Sequence, residues 1–426
     1  MKMRILMVAA VDPAEPNASV LHIGSVARAF ADCGHEVEIV MPAPSAGRAA
    51  ALAGDTRYFL RLWPYGASLG IPRVLFPVVC LMRLLLLLRT TSFDLIYVRS
   101  AMMTWVVTVT CRLLARAVVV SEHNGWISDE IVNLTGRRSA VAALAAWFQV
   151  IDARASHGVR AVTAGLAELL VGAGVDRRRV FVIGNGTDTR LFYPIKRLEA
   201  LAARGLSADA FYLGFIGNLA PWQGVGLALD ALPRVREAYP EVHLIIAGSG
   251  RELAGLKKRA AVSGLSDAVH FLGSVPLGEA NQVVNCFDVA IAPFTSGRNT
   301  RIGLSPMKIR DYAAAGRAIL ASDIPGISAP GGESWITVCV PDSAEELAAG
   351  IIDLVGDRRR LAEMGTAARR HAEREFDWVR IAGKILSIGR APVPEYGPVC
   401  GLNGHRGHDR SGSQAHPDSS PVTKEG

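Results

Sequence analysis

The chain has 426 residues, a formal net charge of +7 and a hydrophobic fraction of 50%. This length predicts two domains, and the apolar fraction is sufficient for two cores, which excludes a largely disordered protein. The positive charge comes from arginines spread along the chain. Because no basic block is interleaved with aromatic residues, nucleic acid is not an expected partner. A basic surface suits anionic ligands or an anionic membrane face.

Neither the N-terminal segment nor the longest apolar stretch predicts a membrane span. The opening MKMRILMVAA is short and runs into VDPAEPN, which favours a first buried strand over a signal peptide. The stretch VLFPVVCLMRLLLLLR is interrupted by Pro77 and Arg83, so it predicts a helix that packs on the protein or rests on a membrane. We therefore expect a cytoplasmic protein, with peripheral contact at the inner face of the membrane left open.

The first half of the chain alternates short apolar strands with helices. Nearly continuous apolar strands separated by helices predict a parallel sheet covered on both faces. The predicted strands cover 4–9, 36–41, 95–98, 117–121, 159–163 and 180–183, and the predicted helices cover 19–33, 74–89, 102–115 and 140–155.

The second half repeats this alternation. Its predicted strands cover 212–216, 243–247, 269–272, 289–292, 318–321 and 336–340, and its helices cover 225–238, 252–263, 306–315, 344–354 and 358–373. A last amphipathic helix is predicted in FDWVRIAGKILSI.

The predicted class is therefore α/β, with two tandem, doubly wound, Rossmann-like domains at residues 1–190 and 191–390. Two such domains place a ligand cleft between them, at the carboxyl ends of the strands. Residues 391–426 are rich in Gly, Ser, Pro and His and are predicted to form a disordered tail.

The most informative segment is TSGRNTRIGLSPMKIRDYAAAGRAILASDIPG, residues 295–326. Ser305 and Pro306 predict a helix start, with serine at the N-cap and proline at the first helical position. The unpaired amides of such a first turn attract anions. Lys308 adds a cation in the same turn, and Asp311 lies three residues later on the same helix face. This combination suits a nucleotide sugar, although an ordinary capped surface helix explains the same residues.

The surrounding motifs resemble a known family. SPMKIRDYAAAGRAILASDIPG resembles the donor-site helix, Ser-Pro-x-Lys-x-x-Glu-Tyr, of the retaining group 1 glycosyltransferases (family four). YLGFIGNLAPWQGVGLALDAL, VFVIGNGTDTRLFYP and VVVSEHNGWISDE are similar to other family motifs, and the match runs in order over about residues 3–390. The resemblance implies the GT-B fold. It also implies transfer of a sugar from a nucleotide-diphospho-sugar to an acceptor hydroxyl, with retention of configuration.

The resemblance also implies donor-binding residues. Asp311 stands where the family has a glutamate that binds the ribose, and Gly303 stands where it has a second glutamate. Arg298 and Arg301 are expected to supply part of the missing charge. The turn after the first C-terminal strand holds neutral residues where the family commonly has Arg and Lys. The implied donor set is Gly217, Asn218, Gln223, Arg298, Arg301, Ser305, Lys308 and Asp311.

The first domain offers an acceptor side. Glu122, His123 and Asn124 follow the predicted strand 117–121, and polar residues at such a strand end are site candidates. We expect His123 to contact the transferred sugar and Glu122 to position the acceptor hydroxyl, with Asn124 and Ser19 beside them. Capping of the strand end is the alternative for these residues.

The chain contains no D-x-D sequence, so we expect no metal and no cofactor. Amides and cations would then stabilise the leaving diphosphate, and the catalytic candidates are His123, Lys308 and Asp311. The acceptor is not identified by the sequence; a lipid-linked glycan or a surface polysaccharide is compatible with it. The neutral residues Asn218, Gln223 and Gly303 motivate an alternative, a GT-B scaffold that has lost transfer activity.

Overall fold

The structure is a computed structural model that describes residues 2–14, 18–44, 52–137, 139–327 and 334–388. The predicted tail, residues 391–426, lies outside these ranges. Of the helices within them, none combines the length and the apolar character that crossing a membrane requires.

The first half forms a seven-stranded sheet in the order β3-β2-β1-β4-β5-β6-β7. All of its neighbouring strands pair in parallel. The order reverses between β1 and β4, which is the switch point where ligands bind in open α/β sheets. The strands are β1 (Arg4–Val8), β2 (Glu36–Pro42), β3 (Phe59–Trp63), β4 (Leu95–Arg99), β5 (Val118–His123), β6 (Gly158–Ala161) and β7 (Val180–Val182).

The second half forms a six-stranded parallel sheet in the order β10-β9-β8-β11-β12-β13. Its switch point lies between β8 and β11. Its strands are β8 (Phe211–Ile216), β9 (Val242–Ala247), β10 (Val269–Gly273), β11 (Val289–Ala292), β12 (Ala318–Ser322) and β13 (Thr337–Cys339). The two sheets confirm the predicted α/β class with tandem doubly wound halves, while the domain boundaries at 190 and 390 stay a prediction.

Helices cover both faces of each sheet, because alternate residues of the buried strands point to opposite sides. In the first half they are α1 (Ala18–Asp32), α2 (Phe76–Val79), α3 (Leu81–Thr90), α4 (Trp105–Leu114), α5 (Ile127–Thr135), α6 (Ala140–Ala155) and α7 (Ala164–Gly172). In the second half they are α8 (Arg197–Ala202), α9 (Val225–Ala238), α10 (Leu253–Val262), α11 (Leu277–Asn285), α12 (Ser296–Ile302), α13 (Met307–Ala314), α14 (Ala344–Val355), α15 (Arg358–His371) and α16 (Trp378–Leu386).

Three local predictions were wrong. The strand β3 was missed, because it is a short edge strand of half-exposed residues. The single helix predicted for 74–89 is a 3₁₀ turn followed by α2 and α3, which are separated at Cys80. The strand predicted to end at Ser121 continues to His123 as β5, and this extension changes where two site candidates point.

The chain crosses between the two halves twice. Thr187 in the first crossing pairs with Asp377 in the second as an isolated parallel bridge. After the second crossing, α16 returns to the first sheet, where Trp378, Ile381 and Ile385 join the core beside α1. The last helix thus belongs by packing to the first half, although it follows the second in sequence.

Candidate active site

Two glycine turns lie at the carboxyl ends of β8 and β9. Gly217 and Gly248 have φ values of 144° and 137°, in the region that favours glycine. A Cβ on Gly248 would lie 1.9 Å from the carbonyl oxygen of Gly217, so the two turns touch through their backbones. Asn218, the next residue, is exposed. The backbone N–H groups of Gly217 and Leu219 donate to the carbonyl oxygens of Ala247 and Ser249 at 2.9 and 2.8 Å, which ties the β8 turn to the β9 turn.

Lys308 faces the turn that follows β8. Its Nζ donates a hydrogen bond to Oε1 of Gln223 at 2.7 Å and lies 3.6 Å from the centroid of the Phe215 ring. A Cβ on Gly217 would stand 2.9 Å from this Nζ, so the missing side chain makes room for the ammonium group. Burial lowers the pKa of Lys308 well below its usual value. At this turn the amino group of Lys308 has a neutral amide as its hydrogen-bond partner.

The start of α13 differs from the prediction. The helix begins at Met307, with Pro306 in the capping position and no capping hydrogen bond from a side chain. Ser305 is not the cap, because its Oγ turns away to accept a hydrogen bond from the backbone N–H of Asn185 at 2.8 Å. It accepts a second one from Arg310 at 3.0 Å. Side-chain capping therefore does not block the first-turn amides beside Lys308.

Asp311 lies one turn further along α13 and is half-buried. Its Oδ1 accepts a hydrogen bond from the Thr187 hydroxyl at 2.6 Å. Burial raises the pKa of Asp311 to about 7. The sequence did not point to Arg310, whose guanidinium is buried beside Ser305 with its pKa lowered to about 10 by burial. The carboxyl of Asp311 is thus poised between its two protonation states near neutral pH.

The structure explains why position 303 carries no acid. Gly303 has a φ of 74°, and a Cβ there would lie 2.6 Å from the carbonyl oxygen of Pro325. A glutamate at this position would be strained and would clash with the backbone. Arg301 donates to both carboxylate oxygens of Asp129 on α5, at 2.9 and 3.1 Å, and so bridges the two halves. The side chain of Arg298 lies outside the described part of the chain.

Glu122 is the centre of a buried cluster at the carboxyl end of the first sheet. Its side chain is 1% exposed. It accepts hydrogen bonds from His22 at 2.7 Å, from Arg99 at 2.9 Å and from Arg160 at 3.3 Å. The Tyr97 hydroxyl and the Asn124 amide also donate to it. Donors surround its carboxylate, so Glu122 is buried among protein partners, and its predicted role of positioning the acceptor hydroxyl stays a prediction.

The ionisation of this cluster follows from its burial. Burial alone raises the pKa of Glu122, but His22, Arg160 and Arg99 outweigh it and hold the pKa well below its usual value. Burial lowers the pKa of His22 to about 4, so its ring is neutral at pH 7. Two guanidinium cations therefore face one carboxylate, and the cluster carries one net positive charge at the carboxyl end of the sheet.

Arg160 is the residue that sequence reasoning missed. It is 0% exposed, and it donates to the carbonyl oxygens of Ile183 and Gly184 at 3.0 and 2.7 Å and to Oδ1 of Asn185 at 3.2 Å. It therefore ties the Glu122 cluster to the first crossing segment. A lone arginine in the apolar strand GVRA was the available signal, because a buried charge requires partners.

His123 points to the opposite face of the sheet from Glu122, because successive strand residues alternate. Its ring is 0% exposed and lies 3.0 Å from the Ser121 hydroxyl and 3.2 Å from the Gln149 amide. Burial lowers the pKa of His123 to about 3. Asn124 is half-exposed, and Ser19 accepts a hydrogen bond from Arg99 at 3.2 Å. Among the described residues, no three His, Cys, Asp or Glu side chains form a group that could hold a metal ion.

Comparison with known proteins adds family relationships to this geometry. Residues 20–191 match the family described as Glycosyltransferase Family 4, and residues 210–357 match Glycosyl transferases group 1. Each half of the chain therefore matches a glycosyltransferase family model. The first domain contains the Glu122 cluster, and the second contains the β8 turn and α13. The order of the two domains agrees with the resemblance read from the motifs.

Individual relatives point the same way. The chain is 31% identical over 233 residues to a D-inositol 3-phosphate glycosyltransferase of Geodermatophilus obscurus, covering 52% of this chain and 49% of that one. It is 32% identical over 213 residues to a phosphatidyl-myo-inositol mannosyltransferase of Mycobacterium tuberculosis, covering 48% and 52%. The matched regions thus span about half the length of these curated relatives.

Solved structures show the fold of the two halves. HepE of Anabaena, in complex with UDP, has a TM-score of 0.71 at 20% identity, over 91% of this chain and 99% of HepE. A sucrose-phosphate synthase of Thermosynechococcus elongatus has a TM-score of 0.71 at 17% identity, over 91% and 98%. At these identities the likeness establishes the fold, which is GT-B.

Proposed function

We propose that this protein transfers a sugar from a nucleotide-diphospho-sugar to an acceptor hydroxyl, with retention of configuration and without a metal ion. The observation that carries the proposal is Lys308, a partly desolvated cation at the uncapped start of α13 that faces the glycine turn after β8. A diphosphate placed there would receive the ammonium group and the first-turn amides of α13. Gln223 would give up its bond to Lys308 in exchange.

The remaining donor contacts follow from the same geometry. Asp311 would accept hydrogen bonds from nucleotide ribose hydroxyls, and Ser305 would keep the segment before α13 in place through Asn185. Asn218 adds a neutral polar side chain at the edge of the turn. Arg301 would contribute by exchanging its carboxylate partner for a phosphate.

The reaction would then need positioning and charge stabilisation more than a protein nucleophile. The acceptor oxygen forms its bond to the anomeric carbon on the face from which the diphosphate departs. The bond from that carbon to the phosphate oxygen breaks, and the leaving oxygen takes the hydroxyl proton. The net positive charge of the Glu122 cluster favours the departing anion across the cleft. The predicted contact of His123 with the sugar requires its ring to exchange Ser121 or Gln149 for a sugar hydroxyl.

We further propose that the acceptor is a lipid-linked glycan or a surface polysaccharide, used in the cytoplasm at the inner face of the membrane. The relative named as a phosphatidyl-myo-inositol mannosyltransferase supports a lipid-linked acceptor. UDP, the nucleotide in the HepE complex, is the first donor nucleotide to test.

The test is calorimetric titration of nucleoside diphosphates and their sugars into the wild type and Lys308→Met. Loss of a charge-assisted contact is expected to weaken nucleotide binding by about 10- to 150-fold. Lys257→Met is the matched control, because that exposed lysine also lies over an aromatic ring, 5.8 Å from the centroid of Phe271. Equal affinity of the wild type and Lys308→Met would contradict the assigned donor site.

Turnover distinguishes the enzyme from the scaffold alternative, which Gly303 in place of an acid and the neutral β8 turn favour. Nucleotide release from a bound donor, with an unchanged anomeric configuration in the product and full activity in chelator, supports the proposal. Donor binding without transfer to any glycan acceptor or to water would favour a scaffold. Failure to bind any nucleoside diphosphate would also favour a scaffold and would overturn the transferase proposal.

A further inference from the structure

Exposed apolar side chains are concentrated on one side of the first half. Of the twenty large apolar side chains exposed in the described chain, eleven lie on the 3₁₀ turn before α2 and on α2, α3, α4 and α6. Along the 3₁₀ turn, α2 and α3 they follow helical spacing, with Leu75, Val79, Met82 and Leu86 three or four residues apart. Met82 is 67% exposed and Leu86 is 57% exposed. The opposite stripe of the same helices is buried on the sheet, so these helices are apolar on both faces.

The neighbouring helices continue this surface. Helix α4 contacts α2, α3 and α6, and its last turn exposes Leu113 and Leu114 by 75% and 63%. Helix α6 exposes Leu144 and Trp147 by 45% and 59%. Adjacent helices that all present apolar side chains to solvent mark an interaction surface and not scattered exposure. We call the outward side of α2, α3, α4 and α6 the α2–α6 face.

The charges on this face have one sign. Arg83, Arg89, Arg112 and Arg116 are exposed, whereas residues 67–90 and 101–117 contain no Asp or Glu. The carboxylate of α6, Asp152, is 0% exposed and so does not offset the arginines at the surface. An apolar surface bordered by guanidinium groups complements anionic headgroups above a hydrocarbon layer. A second copy of the same face would bring like charges together, which disfavours self-association.

We propose that the α2–α6 face docks on an anionic phospholipid bilayer, with its exposed apolar side chains inserted and its arginines on the lipid phosphates. The proposal rests on the proposed function for its purpose, because docking would bring a membrane-bound acceptor to the site. The face reaches the cleft side, since the chain enters α2 from the carboxyl end of β3. Leu75 and Val79 therefore lie nearer the site than the last turn of α3.

Vesicle co-sedimentation tests the docking, with phosphatidylglycerol-containing vesicles compared with pure phosphatidylcholine vesicles at low and high salt. The wild type should bind the anionic vesicles and be released by salt. Met82→Glu/Leu86→Glu should reduce this binding by at least about tenfold, because two apolar side chains become repelled anions. Leu198→Glu/Val262→Glu is the matched control, since it makes the same charge change at sites 63% and 80% exposed in the second half.

The outcomes separate the docking surface from the transferase proposal. An equal loss of binding in both double variants, or no binding of the wild type to anionic vesicles, would overturn the docking surface. A wild-type dimer in sedimentation velocity that Met82→Glu/Leu86→Glu dissociates would assign the face to self-association instead. Nucleotide titration without vesicles reports on the donor site alone, so either proposal can fail while the other stands.

Discussion

Replacing Glu122 by glutamine tests whether its buried cluster holds the first half together. The substitution keeps the shape and one accepting oxygen but removes the anion from two guanidinium groups. Arg160 is 0% exposed and Arg99 is 15% exposed. Removing one partner of a buried ion pair costs about 3–5 kcal/mol. Glutamine keeps one carbonyl oxygen that can accept these hydrogen bonds. We therefore expect Glu122→Gln to lower the free energy of unfolding by about 3 kcal/mol, the lower end of this range.

Thermal unfolding and urea titration at pH 7 measure this loss. For a domain of this size, about 3 kcal/mol corresponds to a fall in Tm of roughly 6–12 °C. The control is Glu168→Gln, which makes the same chemical change in a surface pair with Arg177, where the glutamate is 46% exposed. An exposed pair contributes at most about 1 kcal/mol, so this variant should remain close to the wild type.

The pH dependence of stability is a second test of the same prediction. The pKa of Glu122 is held well below 4.5, its value without the cluster. Its stabilising contribution is therefore present above about pH 4.5 and is lost as the pH falls toward the folded-state pKa. The gap between the wild type and Glu122→Gln should be widest at neutral pH and narrow in acid. A gap at pH 7 no larger than that of the surface control would refute the reasoning.

Three other experiments give measurable outcomes. The pKa of Asp311 is raised from 3.8 to about 7, so its ionisation opposes folding as the pH rises. The Tm advantage of Asp311→Asn over the wild type should therefore grow between about pH 4 and 7 and be absent below about pH 4. Urea titration of Gly248→Ala should show a free energy of unfolding lower by about 2 kcal/mol or more, because the new Cβ would lie 1.9 Å from a carbonyl oxygen. The control Gly255→Ala, whose Cβ would have nothing within 4 Å, should raise the free energy of unfolding by about 0.5–1 kcal/mol. Equal effects would contradict the close packing of the turns. A double-mutant cycle of Arg301→Gln and Asp129→Asn should give a coupling free energy of about 1 kcal/mol or less, because the arginine is 54% exposed. A larger value would mean that the pair stabilises the contact between the two halves.

The central strands of both sheets were predictable because their apolar runs are buried on both faces. The strand β11 was predicted at its observed bounds, and β1 and β8 were predicted to within one residue at each end. The glycine turn after β8 and the helix α13, to within one residue at each end, were predicted as well, since those signals are local. The edge strand β3 failed because its pairing with β2 alone leaves the burial pattern weak.

The acceptor side was less predictable because it depends on contacts between distant residues. The sequence places Glu122 and His123 together at a strand end, but extending β5 by two residues sends their side chains to opposite faces. The partner His22 lies 100 positions away from Glu122 in the chain, and Arg160 lies 38 away. No local pattern encodes such a cluster, and only the sheet order brings its members together.

Two backbone hydrogen bonds join the crossing segments, from Thr187 N–H to the Phe376 carbonyl at 2.8 Å and from Trp378 N–H to the Thr187 carbonyl at 3.1 Å. Two hydrogen-bonded chain segments, instead of one, therefore connect the halves. Bending of the two segments together leaves both hydrogen bonds intact, whereas twisting one segment against the other breaks them. The cleft is therefore expected to open in one plane. A proteolytic cut in either segment would leave the other segment still connecting the two halves.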